Sequence, residues 1–188
     1  MVYEVSKDIQ GLIFDFDGTL VDSMPVHCLS WKAAFAAFNE DISESFIYGH
    51  AGYSLVGVVE AYNKQKKKNL PPLEVVAKKD ESHLAYVDKT KPIPIVLDIV
   101  KHYYKKLPMA VATGNTRLLT APLMKKLDLM KYFDTVVFGD EVTKGKPDPE
   151  CFLVAAKAIG VLPQNCEVFE DGDPGIEAAK RAGMKVTD

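Results

Sequence analysis

Two aspartates one residue apart, Asp15 and Asp17, close the apolar run Gln10-Gly11-Leu12-Ile13-Phe14 and are followed by Gly18-Thr19-Leu20. The run reads as a buried strand. Alternation along an extended chain puts both carboxylates on the same side, and Gly18 lets the chain turn sharply behind them. Carboxylates held that close repel, and a cation, a shared proton or both relieve them. Further polar clusters follow: Thr113-Gly114-Asn115, Lys146 on the proline-stiffened stretch Lys144-Gly145-Lys146-Pro147-Asp148-Pro149, and Glu170-Asp171. Asp15, Asp17, Glu170 and Asp171 are hard oxygen ligands of the kind that suits Mg²⁺, which keeps water and substrate phosphate in its other positions. Thr113 brings a hydroxyl, Asn115 an amide, and the turn at Gly114 backbone N–H groups ahead of a helix N-terminus, all suited to an anion. Acids for a metal, donors for an oxyanion and a lysine between them describe a phosphoryl-transfer site.

These clusters converge only if the elements that carry them lie side by side. Pro108 to Ala112 is a short apolar run, Thr135 to Phe138 and Cys166 to Phe169 read as strands, and Lys185-Val186-Thr187 as a last short one. Between them Ile95 to Lys106, Leu118 to Leu127, Asp148-Pro149-Glu150 onward to Ile159, and Pro174 to Arg181 read as helices. Strands alternating with helices indicate an α/β fold: a parallel Rossmann-like sheet with helices on both faces. Ligands in such sheets bind outside the carboxyl ends of the strands. Residues 21–90 differ. Met24 to Phe38, Leu55 to Lys67 and Leu73 to Val87 have helical spacing, and nothing there reads as a strand. The expected organisation is a core of residues 1–20 and 91–188, and a small all-helical cap of residues 21–90 inserted after the first strand. Lys91-Pro92-Ile93-Pro94 marks the joint.

Composition excludes several classes. Among 188 residues, 47% are apolar and 26% charged, as in ordinary globular chains. A net charge of −3 argues against nucleic acid or a membrane surface as the partner. Cys28, Cys151 and Cys166 are scattered without CxxC or Cys/His spacing, against a zinc site or a disulfide framework. The polar N-terminus does not resemble a signal peptide, and no apolar run is long enough to span a bilayer. The expectation is a cytoplasmic enzyme, a monomer or weak dimer, whose partner is a small molecule. Some polar residues have plainer readings. Asp22 and Asp148 read as turn formers or helix N-caps. His27 is either a site residue or a polar helix residue. His50, His83 and His102 read as surface or partly buried, and Trp31, Phe35 and Phe38 as core.

In chain order, Phe14-Asp15-Phe16-Asp17-Gly18-Thr19-Leu20, Thr113-Gly114-Asn115, Gly145-Lys146-Pro147-Asp148-Pro149 and Phe169-Glu170-Asp171-Gly172-Asp173-Pro174-Gly175 resemble the four motifs of the haloacid dehalogenase superfamily. Val21-Asp22-Ser23, His27 and Trp31-Lys32 ahead of a helical cap look like its β-phosphoglucomutase-like branch. The short chain is most similar to sugar-phosphate phosphatases of the fructose-1-phosphatase kind. The resemblance implies Asp15 as a nucleophile that becomes an aspartyl-phosphate, and Asp17 as the acid that protonates the leaving oxygen and then activates water. It implies Mg²⁺ held by Asp15, the Asp17 carbonyl oxygen and Asp171, with Glu170 adjoining. Thr113, Gly114, Asn115 and Lys146 would grip the phosphoryl oxygens, and His27 and Lys79 would meet substrate from the cap. The chain departs from the pattern at Gly172, where the family often has serine or alanine, and Asp173 is an additional acid. The mutases of this branch hold a second phosphate with a cap arginine. That position falls near Ser54, and the only arginines here are Arg117 and Arg181. Lys78 or Lys79 lacks the bidentate fork. Hydrolysis of a small phosphorylated sugar is therefore expected, with a β-phosphoglucomutase-type mutase as the alternative.

Overall fold

The structure, a computed structural model, describes residues 3–50, 55–86 and 89–188. Contacts divide the chain into two compact units, residues 1–22 with 91–188, and residues 23–90. In the first unit β1 (Gly11–Phe14), β4 (Met109–Ala112), β5 (Thr135–Val137), β6 (Cys166–Phe169) and β7 (Lys185–Thr187) form a sheet in the order β5-β4-β1-β6-β7. Every neighbouring pair is parallel, with Ile13 opposite both Ala110 and Val168. Helices α5 (Pro94–Tyr103), α6 (Arg117–Lys126), α7 (Glu150–Ala158) and α8 (Asp173–Arg181) alternate with the strands, giving the expected α/β architecture. β1, β4 and β6 are fully buried runs, as a sheet covered on both faces requires. Ile13, Ala110, Ala112 and Val168 pack with Phe152, Ala155 and Ala156 of α7 and Ala178 and Ala179 of α8. On the other side of the pleat Phe14 stacks on Phe169, ring centroids 4.8 Å apart, and meets the edge of Phe133. From β1 the chain runs outward on one side to β4 and β5, then crosses over to β6 and β7 on the other, so the topological switch point, where ligands bind in such sheets, is at the end of β1 beside β6.

One expectation is corrected. Val21–Asp22 is not helical: as β2 it pairs antiparallel with β3 (Lys91–Pro92), Val21 opposite Pro92 and Asp22 opposite Lys91. Ile93 N–H adds a bond to the Leu20 carbonyl at 2.9 Å. Two residues per strand carry too little pattern to be read, but the ribbon clamps the outgoing chain to the returning one.

The second unit holds α1 (Met24–Ala36), α2 (Glu44–Gly49), α3 (Leu55–Lys66) and α4 (Pro72–Tyr86). Trp31, Ala34 and Phe35 of α1 form its core with Ile42, Ile47, Val58, Val59, Tyr62 and Val75, and Phe38 packs against them. The six-residue α2, started by Ser43 accepting the Phe46 N–H, is too short to leave a periodic signal. Val87, where the sequence would end α4, lies outside the described residues, as does Ser54. Among the described residues no helix is long and apolar enough to cross a membrane.

Candidate active site

The residues immediately after β1, β4 and β6 are pinned by the sheet. Asp15 N–H donates to the Phe169 carbonyl at 2.9 Å, Thr113 N–H to Val137 at 3.0 Å and Glu170 N–H to Thr187 at 3.1 Å. Each bond extends a parallel ladder one residue past its strand. The backbones of Asp15, Thr113 and Glu170 are thus fixed before their side chains make any contact.

The side chains then meet around Lys146. Its Nζ donates to Asp15 Oδ1 and to Glu170 Oε2, both at 2.6 Å, and to the Ala112 carbonyl at 3.2 Å. The loop that presents it is held from outside. Glu150 accepts the Thr143 and Lys144 N–H groups at 2.9 and 2.8 Å, which lowers its own pKa, and Arg181 donates to the Pro147 carbonyl. Asp148 caps the start of α7, its Oδ1 accepting Glu150 N–H at 3.2 Å. Burial, against the pull of Lys146 and with the push of the Glu170 charge, leaves the Asp15 carboxyl raised to about 7. Burial alone would lower the Lys146 ammonium, but Asp15 and Glu170 outweigh it and leave its pKa raised, so Lys146 is a permanent cation here.

Asp171 lies on the exposed side of this group. Asp15, Glu170 and Asp171 each offer one carboxylate oxygen, and these atoms lie within 4.8 Å of one another. Two glycines make this possible. A Cβ at Gly18, whose φ is +91°, would stand 2.2 Å from Asp171 Oδ2, and one at Gly175 would stand 1.9 Å from Glu170 Oε2. Thr19 donates its hydroxyl to Asp171 Oδ1 at 2.8 Å, and Gly172 N–H donates to Glu170 Oε1 at 3.0 Å. A clustered, all-oxygen set of this kind fits a hard divalent cation.

Asp17 goes elsewhere. Asn115 Nδ2 donates to its Oδ2 at 2.6 Å, so the Asn115 amide expected on a phosphoryl oxygen is engaged with the second aspartate, and the Asp17 carboxylate is not among the three clustered ones. Thr113 Oγ1 accepts the Asn115 N–H at 3.1 Å, which leaves the hydroxyl proton as its donor. Gly114 is exposed. Gly139 approaches so closely that a Cβ there would stand 2.1 Å from the Gly114 carbonyl oxygen.

In the helical unit, the His27 and His83 rings lie 5.1 Å apart, and Lys79 is buried with its Nζ 3.5 Å from Asp80 Oδ1. His83, expected at or near the surface, is only 4% exposed, because α4 packs this face against α1. Lys78 is exposed and pairs with Glu81. Asp173 is exposed in the first turn of α8, where an acid complements the helix dipole. The sequence reading missed Thr19, Gly139 and Gly175. Thr19 and Gly175 stand inside the recognised motifs, but nothing in one sequence reveals whom they touch.

A doubly wound parallel sheet with carboxylates, a lysine and a polar turn at its switch point is the architecture of an α/β enzyme with its site at the strand ends. The profile of the haloacid dehalogenase-like hydrolases matches residues 12–188. The chain is 36% identical over 179 residues to the fructose-1-phosphate phosphatase YqaB of Escherichia coli, covering 95% of each chain. It is 32% identical over 192 residues to a phosphorylated carbohydrates phosphatase of Thermotoga maritima, covering 94% of this chain and 83% of that one. Among solved structures, a β-phosphoglucomutase from Clostridium difficile superposes with a TM-score of 0.79 at 22% identity over 95% of this chain and 83% of the other, a likeness of fold alone. The chain belongs to the haloacid dehalogenase-like hydrolases, and its enzymatic class is that of the phosphomonoesterases.

Proposed function

We propose that this enzyme is a Mg²⁺-dependent phosphatase that hydrolyses a small phosphorylated sugar, fructose 1-phosphate or a related hexose phosphate, through an aspartyl-phosphate at Asp15. The observation that carries the reading is the meeting of Asp15, Lys146 and Glu170, with Asp171 beside them, at the switch point. The sugar comes from the substrates named for the two phosphatase relatives.

Asp15, Glu170 and Asp171 would hold the ion, with the Asp17 carbonyl oxygen that the family resemblance adds. Bound Mg²⁺ supplies positive charge that favours ionised Asp15 and offsets the charge of the phosphoryl oxygens. Asp15 attacks phosphorus, forming an O–P bond as the bond to the sugar oxygen breaks. Asp17 gives that oxygen its proton. A water then attacks the aspartyl-phosphate, Asp17 takes the water's proton, and inorganic phosphate leaves. The Thr113 hydroxyl and the Lys146 ammonium stabilise charge on the transferred group, which requires Lys146 to exchange carboxylate contacts for phosphoryl ones. The absence of arginine from residues 23–90 leaves no guanidinium there to hold a second phosphate, which favours hydrolysis over transfer of the phosphoryl group between two positions of one sugar.

The test is a screen of hexose phosphates with and without Mg²⁺, read for both inorganic phosphate and isomerised sugar phosphate, beside Asp15→Asn. Mg²⁺-dependent phosphate release that Asp15→Asn abolishes in a folded protein is expected. Isomerised sugar phosphate as the product, or full activity in Asp15→Asn, overturns the reading.

A further inference from the structure

We infer that Asn115 is the positioning residue of the proton donor: its amide, bound to Asp17 Oδ2, aims the second aspartate at the leaving oxygen. The inference rests on the reading of Asp17 as general acid given above.

The geometry runs outward from Asp17. The contact is short, Nδ2 to Oδ2 at 2.6 Å, and joins the loop after β1 to the loop after β4. An Asn115 side chain on a mobile loop would orient nothing, but its backbone is held on both sides. Its N–H donates to Thr113 Oγ1 at 3.1 Å, and its carbonyl accepts the Gly139 N–H at 2.8 Å. Gly139 reaches that carbonyl only because it has no side chain, since a Cβ would stand 2.1 Å from the Gly114 oxygen. The turn that begins at Gly139 is itself tied down: Asp140 Oδ1 accepts the Arg117 N–H at 3.0 Å, and Glu141 pairs with the Arg117 guanidinium. The turns at Gly114 and Gly139 thus hold the backbone that presents the Asn115 amide to Asp17.

The chemistry of that contact is directional. A primary amide donates in every protonation state of its partner. The bond at Oδ2 thus fixes the plane of the Asp17 carboxyl, and with it the direction in which its proton is given. Grip on the transferred group is then carried by Lys146 and Thr113, and Asn115 acts through Asp17.

A positioning residue for the acid has a signature that a phosphate ligand lacks. The loss on its removal depends on the leaving group. A sugar alkoxide needs the proton, whereas 4-nitrophenolate departs without one. The experiment compares the single-turnover rate of leaving-group release, which precedes the step in which Asp17 serves as base, for a hexose phosphate and for 4-nitrophenyl phosphate in wild type, Asn115→Ala and Asp17→Asn, at saturating Mg²⁺. Asn115→Ala is expected to lose about 100-fold on the sugar phosphate, the low end of what a general acid contributes, and less than about 5-fold on the aryl phosphate. Asn115→Leu, which keeps the bulk but not the donor, decides the matter if the alanine variant does not melt cooperatively. Gly139→Ala should give the same selectivity with Asn115 intact. Equal losses on both substrates, or none, overturn the inference. If Asp17→Asn is selective while the Asn115 variants are not, the general-acid reading stands and only the inference falls. If Asp17→Asn is itself unselective, both fall.

Discussion

Glu170 lies directly over Gly175: a Cβ on Gly175 would stand 1.9 Å from Oε2 and 2.1 Å from the carboxyl carbon. The first turn of α8 is therefore the floor on which the carboxylate rests before it reaches Lys146. Gly175→Ala should displace Glu170 and weaken the acidic cluster. The expected cost is about 10- to 100-fold in metal affinity or activity, the usual range for residues that orient metal ligands. Titrating phosphatase activity with Mg²⁺ reads it. Gly172→Ala is the control, because its Cβ would stand 3.3 Å from Oε1 on a backbone of ordinary φ, −103°, and it should stay within about 3-fold of wild type. Unchanged Mg²⁺ dependence in Gly175→Ala would mean that Glu170 takes no part in holding the ion.

Lys146 separates two buried carboxylates. Replacing it with methionine keeps most of its volume but leaves Asp15 and Glu170 facing each other. Removing one partner of a buried ion pair typically costs about 3–5 kcal/mol, so a clear loss of thermal stability is expected without metal. Mg²⁺ should return much of it, since a divalent charge can do what the ammonium did. Melting temperature with and without Mg²⁺ checks this. The Mg²⁺-induced rise should be larger in Lys146→Met than in wild type, and an equal rise in both contradicts the account.

The fold class was legible because buried parallel strands announce themselves as short apolar runs between helices, and because chemistry at strand ends follows from that topology. Asp15, Thr113 and Glu170 could be named as neighbours without coordinates, since each immediately follows a central strand. What each side chain touches could not be named. Asn115 has a donor suited to a phosphoryl oxygen, and one sequence does not say that the donor is turned to Asp17. Gly139 and Gly175 matter for atoms they lack, and a missing Cβ leaves no trace in composition or periodicity. The β2–β3 ribbon joins residues about seventy apart through two pairs, too little pattern to read. His83 read as surface or partly buried because α4 has nearly balanced polar and apolar content, and packing rather than periodicity decides which face is covered.

The cysteines give a pH-dependent prediction away from the site. Cys28, Cys151 and Cys166 are buried. Burial pushes the Cys151 and Cys166 thiols up to about 11, from an ordinary 9.0. The thiolate is the reactive form, so at pH 8 only about one such thiol in a thousand is ionised. Native protein should resist alkylation by iodoacetamide at pH 8 and react at all three cysteines once unfolded in urea. The sign for stability follows from the same shift. Between about pH 9 and pH 11 the unfolded chain has lost thiol protons that the folded one keeps, so stability falls as pH rises through that window. Fast labelling of Cys151 or Cys166 in native protein at pH 8 would contradict their burial.

Glu167, on β6 three residues before Glu170, is fully buried and must be satisfied where it lies. Its carboxylate accepts the Tyr3 hydroxyl at 2.5 Å and the Thr187 hydroxyl at 2.7 Å, and Lys185 Nζ lies 3.1 Å away. The Tyr3 ring also packs edge-on against Phe169, centroids 5.5 Å apart. The Tyr3 hydroxyl and ring thus help fasten the N-terminal segment across β6 and β7, beside the bond from Lys185 Nζ to Ser6 Oγ at 3.1 Å. Tyr3→Phe keeps the ring contact and removes the donor to a buried charge, so it should cost about 1.5–3 kcal/mol. Glu167→Gln removes the charge that Lys185 and Tyr3 serve and should cost a similar amount. The two effects should not add, because both variants break the same contact. Urea unfolding of both single variants and the double variant measures this. Full additivity would mean that Tyr3 and Glu167 contribute independently and that the hydroxyl–carboxylate bond contributes nothing to holding the segment in place.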